Sequence, residues 1–332
     1  MAETRPSEFE LIKRYFAPLA SDPGSVGLTD DAAVISPREG YDLVLTKDVL
    51  AADIHFFAND APEAIAAKAL RVNLSDLAAK GAAPRGYLLG LALPSDWTAQ
   101  WLERFCNALA ADQTAYDVKL LGGDTIRSGN GLQVSITAIG EVPTGRTVRR
   151  SGSKAGDIVF VTGTIGDASA GLKARLDAGF SARHNLTSEQ EAYILDRYLL
   201  PRPRTRLASA LQTYASASMD VSDGLTSDCE HMARASNMDF TLELGQIPLS
   251  PALQQLKSAC QQDFMHCING GDDYEILATV PAETADEFSN AAAALKCPVT
   301  RIGHVDSGAG DARLSNFGTT VELSPGGGFK HF

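Results

Sequence analysis

Cysteine is scarce. The 332 residues contain five, Cys106, Cys229, Cys260, Cys267 and Cys297, and no two form a C-x-x-C pair. That spacing offers neither a zinc site nor a disulfide framework, and a reducing, cytoplasmic setting is expected. Long apolar runs are absent as well. Nothing approaches the ~18 to 20 residues of a membrane helix, and the opening MAETRPSEFE is polar and charged, so a soluble, unexported chain with no membrane partner is expected. Positive charge is in deficit: 29 Lys and Arg stand against 41 Asp and Glu, a net charge of -12. The resulting field repels phosphate backbones, which argues against a nucleic-acid partner. Any bound anion then needs local cations, either a few Arg and Lys or metal ions.

What is present suits a globular protein. Hydrophobic residues make up 44% and charged residues 21%, and the length suggests two domains of ~100 to 200 residues. Ser7 and Glu10 stand in capping-box spacing before Phe9, Ile12, Phe16 and Leu19, which predicts an amphipathic first helix. YDLVLTKDVL reads as a strand, Pro62 to Lys80 as a helix carrying Asp76, and RGYLLGLALP as a short strand. A helix through SDWTAQWLERFCNALAADQTAY follows, then the strands YDVKLLGGDT and GLQVSITAIGEV. The order suggests a mixed α and β layer domain over 1–149. The polar, Gly-rich and basic RRSGSKAGD marks the boundary with a second domain over 150–332. There the strands DIVFVTG, MDVSDGL, MDFTLEL, YEILATV and VTRIGHV alternate with helices.

Acidic residues gather where those elements end. LTDDAAV brings Asp30 and Asp31, LTKDVL Asp48, NLSDLAAKG Asp76, LGGDT Asp124, DVSDGL Asp220 and Asp223, and NGGDDYEI Asp272 and Asp273. Any one alone is explained by a turn or a helix N-cap. Together they are harder to dismiss, because most sit beside Gly or Ser where a strand stops, the place where open α and β folds assemble ligand sites. Clustered carboxylates repel unless cations lie between them. Mg²⁺ suits the set, because it takes carboxylate, carbonyl and water oxygens and leaves positions for phosphate. Phosphate chemistry follows, and since neither G-x-x-x-x-G-K-[ST] nor H-R-D occurs, the two commonest nucleotide-kinase architectures are set aside. VTGTIGDASAGL reads first as a tight turn before a helix and only second as a phosphate cradle. The pair Arg149 and Arg150 offers phosphate ligands or a solvated patch. His55, alone beside two aromatics, reads as a packed residue unless its context raises it.

The ordered set TDDAAV, LTKDVLAADIHF, AAKALRVNLSDLAAKGA, LLGGDT, RTVRRSGSKAGD, GTIGDASAGL, MDVSDGLTSD and NGGDDYEI, with GGFKHF at the end, resembles the thiamine-monophosphate kinase family over essentially the whole chain. NLSDLAA, GGDT and DVSDGL mark the wider superfamily that includes aminoimidazole-ribonucleotide synthase, selenophosphate synthase and a hydrogenase maturation factor. The resemblance implies an α+β, two-domain aminoimidazole-ribonucleotide-synthase-like fold. Its N-terminal mixed-sheet domain would dimerise, and its C-terminal α/β domain would complete the ATP and substrate sites. It implies a homodimer that phosphorylates thiamine monophosphate with ATP and several Mg²⁺ ions. By motif matching, Asp30, Thr46, Lys47, Asp48, Asp76, Asp124, Asp220 and Asp223 take the metal positions. Tyr116, Gly123, Asp124, Arg150 and Ser222 contact ATP, and His55, Asp272 and Phe329 line the thiamine-phosphate pocket. No general base is implied.

Four departures stand out. Lys47 replaces the family's usual Thr, Asp272 is shorter than the usual Glu, Phe329 lacks a polar ring atom, and GLTDD replaces a more Gly-rich loop. Relatives in the superfamily fit less well. The selenophosphate enzyme needs a reactive residue near the N-terminus and the hydrogenase factor a C-terminal Cys, whereas here the first and last are Cys106 and Cys297. IHF and the aromatic tail do not suit the purine enzyme. A non-catalytic binding protein that kept this scaffold is the alternative from another class, and the intact acidic set argues against it.

Overall fold

Ser7 donates to the Glu10 carboxylate through its backbone N–H (2.9 Å) and its hydroxyl (2.8 Å), at the head of α1 (Glu8–Leu11). The expected single helix then changes character. It widens into a π turn (Ile12–Phe16) and tightens into a 3-10 turn (Ala17–Leu19), because Pro18 has no N–H to continue an α-helix. The computed structural model describes residues 7–316 and 318–321. By contacts the chain divides into two units. One is the chain up to Leu77 with Ala82–Gly145, the other Ala78–Gly81 with the chain from Arg146.

The first unit contains β1 (Tyr41–Ala51), most of α2 (Pro62–Ala79), β2 (Ala83–Leu93), α3 (Ala99–Tyr116), β3 (Lys119–Arg127) and β4 (Gln133–Pro143). Its sheet runs β1-β4-β2-β3, antiparallel except for β2 and β3, whose parallel pairing requires the crossover helix α3 between them. Strand alternation separates two faces. Tyr87, Leu89, Leu91, Val134, Ile136 and Ala138 are buried on one, beneath α2 and α3, as the bond from Gln113 Nε2 to the Tyr87 hydroxyl (3.0 Å) shows. The other face leaves Leu45 (62%), Val49 (49%), Leu88 (38%) and Ile126 (57%) exposed.

In the second unit, β5 (Ile158–Thr162) precedes α4 (Asp167–Leu176), α5 (Phe180–Arg183), α6 (Ser188–Leu199) and α7 (Ala208–Tyr214). Then come β6 (Ala217–Asp220), α8 (Leu225–Ser236), β7 (Met238–Glu243), α9 (Pro251–Ala259), α10 (Gln261–Ile268) and β8 (Ile276–Val280). α11 (Ala285–Ala294), β9 (Val299–Ser307), β10 (Ala312–Asn316) and β11 (Thr319–Thr320) complete it. Its sheet order is β11-β10-β7-β9-β5-β8-β6. Both faces are covered: Val159, Val161, Met219 and Leu277 join one apolar cluster, Phe160, Ile276 and Ala278 the other. This explains why IVFV is an unbroken apolar run and ILATV is interrupted only by Thr279. No helix among the described residues is long and apolar enough to cross a membrane.

The turn after β6 and the turn before β8 interlock, and glycine makes it feasible. Gly224 (φ +115°) would put a Cβ 2.3 Å from the Asn269 carbonyl oxygen, and Gly271 (φ +80°) one 2.3 Å from that of Ser222. Val221 N–H donates to Glu275 O, Asp272 N–H to Ser222 O and Tyr274 N–H to Val221 O, each at 2.8 Å. Gly271→Ala adds both a backbone clash and a left-handed Ala, so a loss of at least ~2 kcal/mol is expected in urea unfolding. A loss below ~0.5 kcal/mol would contradict the interlock.

Candidate active site

In the first unit, Thr46 and Asp48 lie two apart on β1 and share a face, while Asn73 and Asp76 lie three apart on α2 and share a side of the helix. The strand and the helix side meet. Thr46 Oγ1 donates to Asp76 Oδ2, and Asp48 N–H donates to Asn73 Oδ1 (3.1 Å), whose own Nδ2 is fixed on Ala69 O (3.0 Å). Burial first, and then the adjacent Asp76 carboxylate, push the Asp48 carboxyl up to about 6.

Lys47 is elsewhere. Alternation turns it to the opposite face of the sheet from Thr46 and Asp48, where it lines a cavity of about 820 Å³ with Asp30, Asp31, Gly123 and Asp124. The residues of this unit expected at metal positions are thus divided between two faces. Asp30 Oδ1 accepts from Asp31 N–H (2.8 Å) at an exposed loop. Gly123 has a packing reason of its own: a Cβ there would lie 1.9 Å from Leu89 O on β2. His55 is in the turn after β1, where its Nδ1 accepts from Ala51 N–H (3.1 Å), so the neutral ring carries its proton on Nε2. Tyr116 ends α3, with the Arg71 guanidinium 5.8 Å from its ring centre.

In the second unit, DVSDGL forms the end of β6, a turn and the start of α8. Asp228, in the first turn of α8, draws the preceding loop over itself: its Oδ2 accepts from the N–H groups of Ser222 (3.0 Å), Asp223 (3.0 Å) and Gly224 (3.2 Å). Burial and then Asp223 still push its carboxyl up to about 7, and its Oδ1 is buried without a hydrogen-bond partner. Asp220 is buried, Asp223 and Asp272 half-buried, and the interlocked turns put Asp272 beside Ser222. Arg150 is exposed on a segment tied to β6 by Ser218 N–H donating to Arg149 O (2.9 Å). Phe329 lies outside the described residues.

The glycine turn before α4 is closed by protein. Asp273, fully buried, accepts from Gly166 N–H (2.7 Å) and Ala168 N–H (3.3 Å). Burial holds its carboxyl well above the usual range. VTGTIGDASAGL is therefore a capped helix start, its amides occupied by a side chain.

Sequence reading passed over Asn73 and the buried Glu275 with its partners Arg197 and Arg204, because the groups that meet there are distant in sequence. Asp273 is in the acidic set and Asp228 in MDVSDGLTSD, but the sequence assigned neither of them a role of its own.

Residues 29–142 match the AIR synthase related protein N-terminal domain and residues 154–314 its C-terminal domain. A thiamine-monophosphate kinase from Caulobacter vibrioides is 42% identical over 313 residues, 93% of this chain and 87% of that protein. The chain belongs to the thiamine-monophosphate kinase family. A crystal structure of the thiamine-monophosphate kinase from Stenotrophomonas maltophilia superposes with a TM-score of 0.82 at 37% identity, covering 95% of this chain and 98% of that one. AaThiL complexed with AMPPCP and TMP superposes at 0.76 with 33% identity and 91% coverage of each chain. The fold is thus the two-domain AIR-synthase-like one that the motifs of this kinase family imply.

Two carboxyls whose folded values lie above the ordinary 3.8 bind protons more tightly folded than unfolded. Their contribution to stability is whole below pH ~4 and is lost as pH rises through about 6 and about 7. In EDTA the melting temperature should fall between pH ~5 and ~8, and Asp228→Asn should flatten that fall; a flat wild-type profile would contradict the burial of these charges.

Proposed function

We propose that this chain transfers the γ-phosphoryl group of ATP to thiamine monophosphate, giving thiamine diphosphate and ADP in thiamine diphosphate biosynthesis. The observation that carries the reading is the Asp48–Asp76 pair beside the Thr46 hydroxyl, in a chain whose relative AaThiL holds AMPPCP and TMP. An ATP analogue and the acceptor in one relative fit a direct transfer between two polyanions.

The donor set fits Mg²⁺. Among the described residues no three His, Cys, Asp or Glu side chains converge on one point, and Mg²⁺ does not need them, since it binds through one or two carboxylates and fills its shell with water and substrate phosphates. Asp48, Asp76 and Thr46 would hold one part of it, and Asp30, Asp124, Asp220 and Asp223 would supply further carboxylates. Bound there, Mg²⁺ neutralises phosphate oxygens and stabilises charge on the phosphoryl group in transfer. Lys47, on the far face of β1 from Asp48, adds a positive charge beside Asp124 and Asp30.

The acceptor oxygen belongs to a phosphate monoester with a second pKa of ~6, so it is already largely deprotonated near neutral pH. The protein needs to position it, not to remove a proton. Ser222, Gly123, Arg150 and Tyr116 are assigned to ATP, and His55, Asp272 and Phe329 to the acceptor. The His55 Nε2–H donor and the Asp272 carboxylate suit a phosphate and an aminopyrimidine or thiazolium respectively. A homodimer through the first unit's sheet is supported by the exposed row Leu45, Val49, Leu88 and Ile126, an apolar surface of the kind that marks an interface. The five free cysteines suit a reducing cytoplasm.

With Mg-ATP, ADP and thiamine diphosphate should appear in equal amounts and only when thiamine monophosphate is present. ADP alone would point to another acceptor, and bound ATP without turnover to a binding protein. Asp48→Asn should lower turnover at least ~100-fold and remove the rise in melting temperature that Mg²⁺ gives the wild type. Near-normal values of both would sink the metal assignment. Leu45→Asp should convert the dimer to a monomer in light scattering, and an unchanged mass would place the interface elsewhere.

A further inference from the structure

The segment between α10 and β8 holds an unusual backbone. Asp272 and Tyr274 both have left-handed conformations, φ +68° and +51°, a region that carries an energetic cost for residues with a Cβ, less for Asp than for the bulky Tyr. The groups that hold them there lie between and behind them. Asp273, pointing inward, accepts from Gly166 N–H and Ala168 N–H, so the loop is tied to the start of α4. Its carbonyl oxygen accepts from Arg197 Nη2 (3.1 Å), and the same nitrogen donates to Glu275 Oε1 (2.9 Å). Glu275 is in turn held by Arg204 Nε and Thr162 Oγ1, each 2.6 Å from Oε2. Arg197, Asp273 and Glu275 are all buried.

We propose that Asp273 and Arg197 are positioning residues for the acceptor. They keep the backbone on either side of Asp273 in its strained form, so that Asp272 is directed outward beside Ser222 before substrate arrives. The inference rests on the assignment of Asp272 to the acceptor site. The neighbouring turn has a separate lock, the Asp228 carboxylate under Ser222, Asp223 and Gly224. Loosening Asp273 therefore releases the acceptor side while Ser222 stays held.

The test is steady-state kinetics on the full chain with ATP and thiamine monophosphate varied separately. Asp273 uses one oxygen for each of its two amide partners, whereas Asp273→Asn keeps a single acceptor oxygen and turns an NH2 donor toward the other N–H, which should raise KM for thiamine monophosphate about tenfold, with kcat and KM for ATP within about twofold. Arg197→Lys keeps the buried charge but reaches one acceptor instead of two, and should raise the same constant about threefold. It carries the test alone if Asp273→Asn does not fold. Asp272→Ala should also raise it, and adding Asp273→Asn to Asp272→Ala should change nothing more, because a positioning residue acts through the one it positions.

A normal acceptor KM in Asp273→Asn, or equal losses in both KM values and kcat, overturns the positioning role while Asp272→Ala still reports an acceptor contact. If Asp272→Ala leaves the acceptor KM unchanged, the assignment of Asp272 fails, and the positioning role fails with it.

Discussion

A carboxylate removed from water must find amide protons, a guanidinium or a cation, and this protein buries many of them at the ends of its strands. Where the partner is supplied by the chain, the result is architecture. Asp228 gathers three N–H groups into a turn, Asp273 caps a helix, and Glu275 sits between two arginines. Where compensation is incomplete, as at Asp48 next to Asp76, the residual repulsion is what an added cation can relieve.

The same constraint explains the glycines. A loop that wraps its own amides around a carboxylate must bring backbone against backbone, and Gly224 and Gly271 stand where a Cβ would meet a carbonyl oxygen. The strained neighbours Asp272 and Tyr274 persist because buried ion pairs behind them over-determine the path. Stability in the second unit's core is used to hold a costly conformation at its surface.

Much of the architecture was legible. The strand formers of YDLVLTKDVL and the helical run from Pro62 appear as β1 and as α2, because local propensity acts within a few residues. The first helix was misjudged where Pro18 and the π turn intervene. In the candidate site, Asp76 and Asp223 were visible as Asp beside Ser or Gly, whereas Asp48 lies within β1 and Asp220 closes β6 without such a neighbour. Asp273 looked equivalent to Asp272 in NGGDDYEI, and the fold buries Asp273 on the amides of Gly166 and Ala168 while leaving Asp272 half-buried.

By itself the sequence determined the element types, the acidic motifs and, through their order, the kinase family to which the chain belongs. It did so because local periodicity and turn chemistry need no distant partner. Only the tertiary structure decided which acids are compensated. It closed the glycine turn before α4 with Asp273, and buried Arg197 against Glu275. Those outcomes depend on which groups meet across scores of residues, and the electrostatics of a buried charge are set by that neighbourhood rather than by its place in the chain.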